Sequence, residues 1–188
     1  DKSLQLIFRT ALGRFSNISL WHIGRADILL VCSDQKIDPD LSKMQISYKQ
    51  VQAQFHLADI YSYSAFLSQE LTNDIVQIRK YAGNGVINSE NHPYLEMWAP
   101  KAFFYNSNPT KFISLDQRKN FKESNLLLAD FLNSKEVTNE EILQAGLFQS
   151  TGGSKELAYY LADLNPEIFL VWSQKASLAG DQEKAMEY

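Results

Sequence analysis

The chain has 188 residues, 45% of them hydrophobic, with 18 Lys and Arg against 22 Asp and Glu for a net charge of −4 at pH 7; that supports one good core or two small ones and argues against nucleic acid as the main partner, since phosphate recognition needs a basic face. A single cysteine, Cys32, excludes an intrachain disulfide and a cysteine-built zinc site. No apolar run approaches the ~18 residues of a membrane helix, and Asp1-Lys2-Ser3 leads into an amphipathic pattern, not a secretory leader.

In chain order, Ser3–Leu12 reads as a short helix ended by Gly13. Ile18–Ile23 and Asp27–Cys32 read as a β-hairpin across a Gly24-Arg25 turn. The second strand is apolar at every position from Ile28 to Cys32, which predicts burial on both faces and a central place in a sheet. Asp38-Pro39 predicts a helix start, with Asp38 as cap and Pro39 in the first helical position. Leu41, Met44, Tyr48, Val51 and Phe55 follow at intervals of three and four as one apolar stripe. A second helix is predicted from Asp59 to Glu70, burying Ile60, Tyr63, Phe66 and Leu67. A third is predicted from Asn73 to Ala82, with Ile75, Ile78 and Tyr81 inward.

Residues 83–104 are the most informative stretch. Gly83 and Gly85 suit the positive φ at a helix end, and Pro93 and Pro100 bias His92 and Ala99 toward extended backbone. The reading is a rigid, extended strap held on a hydrophobic surface by Tyr94, Leu95, Trp98, Phe103 and Phe104, with Asn88, Pro93, Leu95, Trp98 and Pro100 as its structural residues.

Asn106–Thr110 has the composition of a linker, and helical signals follow it. Leu127, Leu128, Phe131 and Leu132 mark one helix, and Thr138 with Glu141 is a capping box opening the next. Gly152-Gly153 breaks the chain before a helix marked by Leu157, Tyr160, Leu161 and Leu164. Asn165-Pro166 starts another, with Phe169, Trp172 and Ala176, and Gly180-Asp181 turns into a last one.

Two resemblances arise from these residues. Asn88-Ser89-Glu90-Asn91-His92-Pro93-Tyr94-Leu95-Glu96 followed by Ala99-Pro100-Lys101 resembles a signature near the end of the spermidine-synthase-like portion of bacterial membrane-anchored fusion proteins. Asn88, Pro93, Leu95, Glu96, Ala99 and Pro100 match it; Glu90 and Asn91 stand where the family has two aspartates, and Lys101 where it usually has arginine. The run of helix, strand, tight turn and buried strand is similar to the end of the methyltransferase-type α/β fold that spermidine synthases use. The rhythm of short helices after residue 106, with Asn165-Pro166, Trp172 and Gly180–Tyr188, resembles tetratricopeptide repeats.

The expected architecture is α+β and mainly helical: a β-hairpin from the end of a methyltransferase-type fold in residues 1–105, then a helical repeat-like region in 106–188. The glycine-rich loop and the acidic strand end that would hold a nucleotide-like cofactor are not in this sequence. The resemblance therefore implies a C-terminal piece that binds no cofactor and catalyses nothing by itself. It further implies a parent performing aminopropyl transfer or related chemistry, anchored in the inner membrane with this part in the cytoplasm. The alternative is a helical scaffold that binds a partner protein.

Glu90, His92 and Glu96 place two carboxylates and an imidazole close together, as acid/base or metal chemistry requires. Hydrogen bonding to backbone groups left unpaired by the prolines is the stronger expectation for Glu90 and His92, and an ion pair to Lys101 or an arginine for Glu96; no catalytic residue and no metal ligand is assigned. Tyr94, Trp98 and Phe103 read as core before they read as a polyamine pocket. The strand Ile28–Cys32, lacking an earlier parallel neighbour, is expected either to pair with its copy in a homodimer or to be covered.

Overall fold

The structure is a computed structural model describing residues 2–23, 27–104, 110–134 and 137–178. The chain is α+β and mainly helical, with a small three-stranded antiparallel sheet. It divides into two compact units that interleave along the sequence. Asp1–His22, Ile28–Pro39 and Glu70–Gln117 make the first; Ile23–Asp27, Asp40–Gln69 and Arg118–Tyr188 make the second.

In the first unit, helix α1 (Lys2–Leu12) buries Leu6 and Phe8. Phe8 joins Ile18 and Leu20 of strand β1 (Asn17–Ile23), Leu71 of β3 (Glu70–Thr72), and Ile78 and Tyr81 of α4 (Ile75–Ala82) in one apolar core. The polar residues of α1 serve the open end of α4. Gln5 Nε2 donates to the Tyr81 carbonyl at 3.0 Å, and Arg9 donates to the carbonyls of Ala82 at 2.7 Å and Val86 at 2.8 Å. The last carbonyls of a helix lack intrahelical partners and carry partial negative charge, so a guanidinium there satisfies both. Gly83 then leaves the helix at φ 61°, a conformation that costs other residues a steric clash.

Strand order is β2-β1-β3, with β2 spanning Asp27–Ser33. This corrects the central place expected for Ile28–Cys32: β1 is central, and β2 lies at the edge of the sheet. Leu30 and Cys32 pack against the core, whereas Leu29 and Val31 on the other face are 46% and 39% exposed. A continuous apolar run thus stands on a strand with one covered face. The place beside β1 is taken by β3, where Leu20 faces Thr72 and Trp21 faces Glu70.

That third strand overturns the helix expected from Asp59 to Glu70. Asp59 sits at φ 60°, which an α-helix cannot contain. The helix shrinks to α3 (Tyr63–Leu67), capped by Ser62, whose hydroxyl accepts from the Ala65 amide at 3.0 Å. The extended strap is corrected as well. Residues 94–104 form helix α5 (Tyr94–Phe104), with Pro93 just before its first residue and Pro100 inside it. The fixed φ of proline is helix-compatible, and Pro100 forfeits one backbone donor instead of ending the helix.

The second unit is helical. Its α2 (Leu41–His56) starts two residues later than expected, because Asp40 and not Asp38 accepts from the Lys43 amide at 3.1 Å. Tyr48 is buried, but Val51 is 44% exposed, so the stripe on α2 is narrower than its spacing suggests. Tyr48 stacks on Phe55 at 5.1 Å, and Tyr63 meets Phe131 of α6 (Leu127–Leu132) edge-on at 5.2 Å. Helix α3 packs on α6 and on α7 (Asn139–Gly152), and α7 packs on α8 (Lys155–Leu164) and α9 (Glu167–Leu178). Each of the last three begins at a side-chain cap: Thr138 and Asn165, where the sequence places helix starts, accept from the amides of Glu141 and Glu167, and Ser154 from the amide of Leu157. The linker positions 106–109 and the helix expected from Gly180 lie outside the described residues; Thr110 opens a 3-10 segment, Thr110–Leu115.

The Glu141 side chain does not complete the capping box. Its carboxylate instead accepts from the Ser64 amide at 2.9 Å and the Ser64 hydroxyl at 2.6 Å. Further along α7, Gln149 Nε2 donates to the Ser68 carbonyl and hydroxyl at 2.9 and 2.8 Å, while its Oε1 accepts from the Ser154 amide at 2.7 Å and Arg118 at 3.3 Å. Gly153 makes room for this: a Cβ there would occupy the position of the Gln149 amide oxygen. Burial first, then the Glu141 charge, pushes the Tyr48 hydroxyl up to about 12. Tyr63 is raised by burial and by the charges of Asp40 and Glu141.

Candidate ligand groove

Glu90, His92 and Glu96 are all exposed. Residues 89–92 form a tight turn in which the Ser89 amide donates to the His92 carbonyl at 3.2 Å and the His92 amide to the Ser89 carbonyl at 3.1 Å. The His92 ring stacks on Tyr94 at 6.0 Å, and Tyr94 leans on Trp98 at 5.6 Å. The residue of this stretch with a clear task is Asn88: its Oδ1 accepts from the Leu95 amide at 2.8 Å, and its own amide donates to Thr10 Oγ1 at 2.8 Å. Asn88 thereby caps α5 and ties it to α1, using short polar geometry of the kind that starts helices. Leu95 and Trp98 are half-buried, and Pro93 and Pro100 exposed. Among the described residues, no group of three or more His, Cys, Asp or Glu is placed to hold a metal ion. Cys32 is half-buried, and burial pushes its thiol above the ordinary range, which disfavours the nucleophilic thiolate.

A cavity of about 470 Å³ lies elsewhere, in the second unit, between the 3-10 segment Gln117–Glu123 and helix α8. At Asn120 the backbone leaves helical geometry (φ −120°, ψ 49°). Phe121 is buried, while Lys119 and Lys122 reach solvent. Phe121 and Tyr160 line the cavity, their ring centroids 5.0 Å apart. Arg118, Lys119 and Lys122 line one side; Glu156, Tyr159 and Asp163 line the other. The latter three recur at intervals of three and four on α8, so they share a face.

The α8 wall is held in place. Ser154, cap of the helix, donates its hydroxyl to Glu156 Oε2 at 3.1 Å. Tyr159 is 42% exposed, yet its ring meets Trp172 of α9 edge-on at 5.6 Å and Phe169 at 6.3 Å. On the other wall, the Lys122 ammonium stands 5.6 Å from the centre of the Tyr160 ring, within range of a cation–π attraction. Among the described residues, no ion pair joins Lys119 or Lys122 to Glu156 or Asp163. Side chains of both signs line one space, and its volume falls within the usual size of ligand sites.

The sequence expectations missed this groove. Its α8 half left a trace, an acidic and aromatic stripe at helical spacing, but Tyr160 read only as a marker of the helix. The basic half lies far upstream, and only the packed structure brings the two together. No protein-family model, no curated protein and no solved structure matches the chain.

Proposed function

We propose that this chain is a non-catalytic module whose helical unit binds a partner protein. The observation that carries the reading is the groove between residues 118–123 and α8, set against the absence of any comparable convergence of Glu90, His92 and Glu96, which are exposed. Such a module is compatible with the C-terminal portion of a spermidine-synthase-like protein, in which aminopropyl or related transfer would take place on other parts of the parent and this part would lie in the cytoplasm. No helix of the described residues is long and apolar enough to cross a membrane.

Chemical-shift mapping of the ¹⁵N-labelled chain tests the reading. A panel of short peptides is expected to shift amides of residues 118–123, α8 and α9, and an adenosylmethionine analogue is expected to shift none. Saturable shifts confined to residues 88–96 with the analogue would overturn it.

A second association is favoured by the edge position of β2. Between Ile28 and Cys32 it carries no proline and no charge, the usual protections of an edge. Antiparallel pairing with the same strand of a second copy would set Leu29 against Val31 of that copy on the open face. Sedimentation equilibrium tests this: the wild type should dimerise and Val31→Lys should be monomeric, and a wild type that stays monomeric at high concentration removes the idea.

A further inference from the structure

We infer that the groove takes an extended peptide segment carrying both signs of charge, with a Lys or Arg side chain seated on Tyr159 between Glu156 and Asp163, and an acidic side chain facing Lys119 and Lys122. This deepens the partner-binding reading and rests on it. The argument is charge complementarity on a shaped surface. Tyr159 meets Trp172 edge-on at 5.6 Å and still presents 42% of its surface; a ring already packed on one side loses little entropy when the other is covered. Glu156 and Asp163 flank it on the same helical face. A cation above that ring gains the attraction of the ring face together with two nearby carboxylates. A purely basic segment would then meet Lys119 and Lys122 on the opposing wall, and a purely acidic one would meet Glu156 and Asp163, so single-sign partners suffer repulsion. Only a segment with both signs satisfies both walls. The half-buried Tyr160 ring offers apolar contact for the side chain between them.

The test is fluorescence anisotropy with short labelled peptides, acetylated and amidated at their ends: one carrying Lys and Glu, one only Lys, one only Glu, and one rich in Leu without charge. The mixed peptide is expected to bind about tenfold or more tighter than either single-sign peptide, and to weaken about tenfold when salt is raised to about 0.5 M. Glu156→Gln with Asp163→Asn should remove the preference for Lys, and Lys119→Gln with Lys122→Gln the preference for Glu; these residues are exposed, so the variants should keep the circular dichroism of the wild type. Equal binding of all charged probes, or binding unchanged by both double variants, overturns the inference. Binding of the Leu-rich peptide alone, with shifts on α8 and α9, overturns the inference and leaves the partner-binding reading standing. If no peptide shifts any amide of the second unit, both fall.

Discussion

Two polar clusters in this chain invite comparison: the exposed stretch that carries Glu90, His92 and Glu96, and the set that Glu141 and Gln149 make with the buried Ser64 and Ser68. The first brings three chemistry-bearing residues together within seven positions of sequence, and all three face solvent. The second joins residues 77 and 81 positions apart, Ser64 with Glu141 and Ser68 with Gln149, by bonds of 2.6 to 2.9 Å. Proximity along the chain creates neither a pocket nor a partner. Burial does both, because a polar group removed from water must find a partner or forfeit the hydrogen bonds it made there.

The comparison breaks first at Glu141. Glu141→Ala leaves the Ser64 amide and hydroxyl without their carboxylate and should cost about 2–3 kcal/mol, read as a lower urea midpoint; a loss of less than about 0.5 kcal/mol would place the pair among ordinary surface contacts. Gly153→Ala attacks the same network from outside, since its Cβ displaces the Gln149 amide. It should cost about 1–3 kcal/mol, and Gly153→Ala combined with Gln149→Ala should cost less than the sum of the two single losses.

Alkaline titration sharpens the comparison. The Tyr48 hydroxyl is pushed up to about 12 in the folded chain, above the ordinary ~10 of the unfolded one. Between those values the folded state keeps a proton that the unfolded state has lost. The contribution is therefore complete below about pH 10 and is lost as pH rises toward 12, at up to about 1.4 kcal/mol per pH unit. Tyr48→Phe should flatten that part of the stability profile; an unchanged slope would mean the hydroxyl is not the group responsible.

The smallest effects belong to the exposed turn, and they divide it internally. Asn88→Ala removes the bond to the Leu95 amide and should cost about 1 kcal/mol, the scale of a lost helix cap. Glu90→Gln, His92→Ala and Glu96→Gln should each stay within about 0.5 kcal/mol. A larger loss at any of these three would show that the turn has a structural partner.

Local chemistry was legible in the residues themselves. Thr138 and Asn165 sit where helices start, Gly83 and Gly153 where they stop, and the α+β, mainly helical character follows from these signals and from the apolar spacing, because caps and periodicity act over one or two turns. Asn88 was singled out in the sequence, and the structure gives it the capping bond. The misreadings share a different scale. Whether Ile28–Cys32 is central or peripheral depends on Glu70–Thr72, a strand of three residues that joins β1 after two intervening helices. The groove needs Lys119 and Lys122 opposite Glu156 and Asp163, and the Glu141 carboxylate passes over its own capping box for Ser64. Each outcome is decided by a partner distant in the chain, whose approach is set by burial of the helices and strands that carry it.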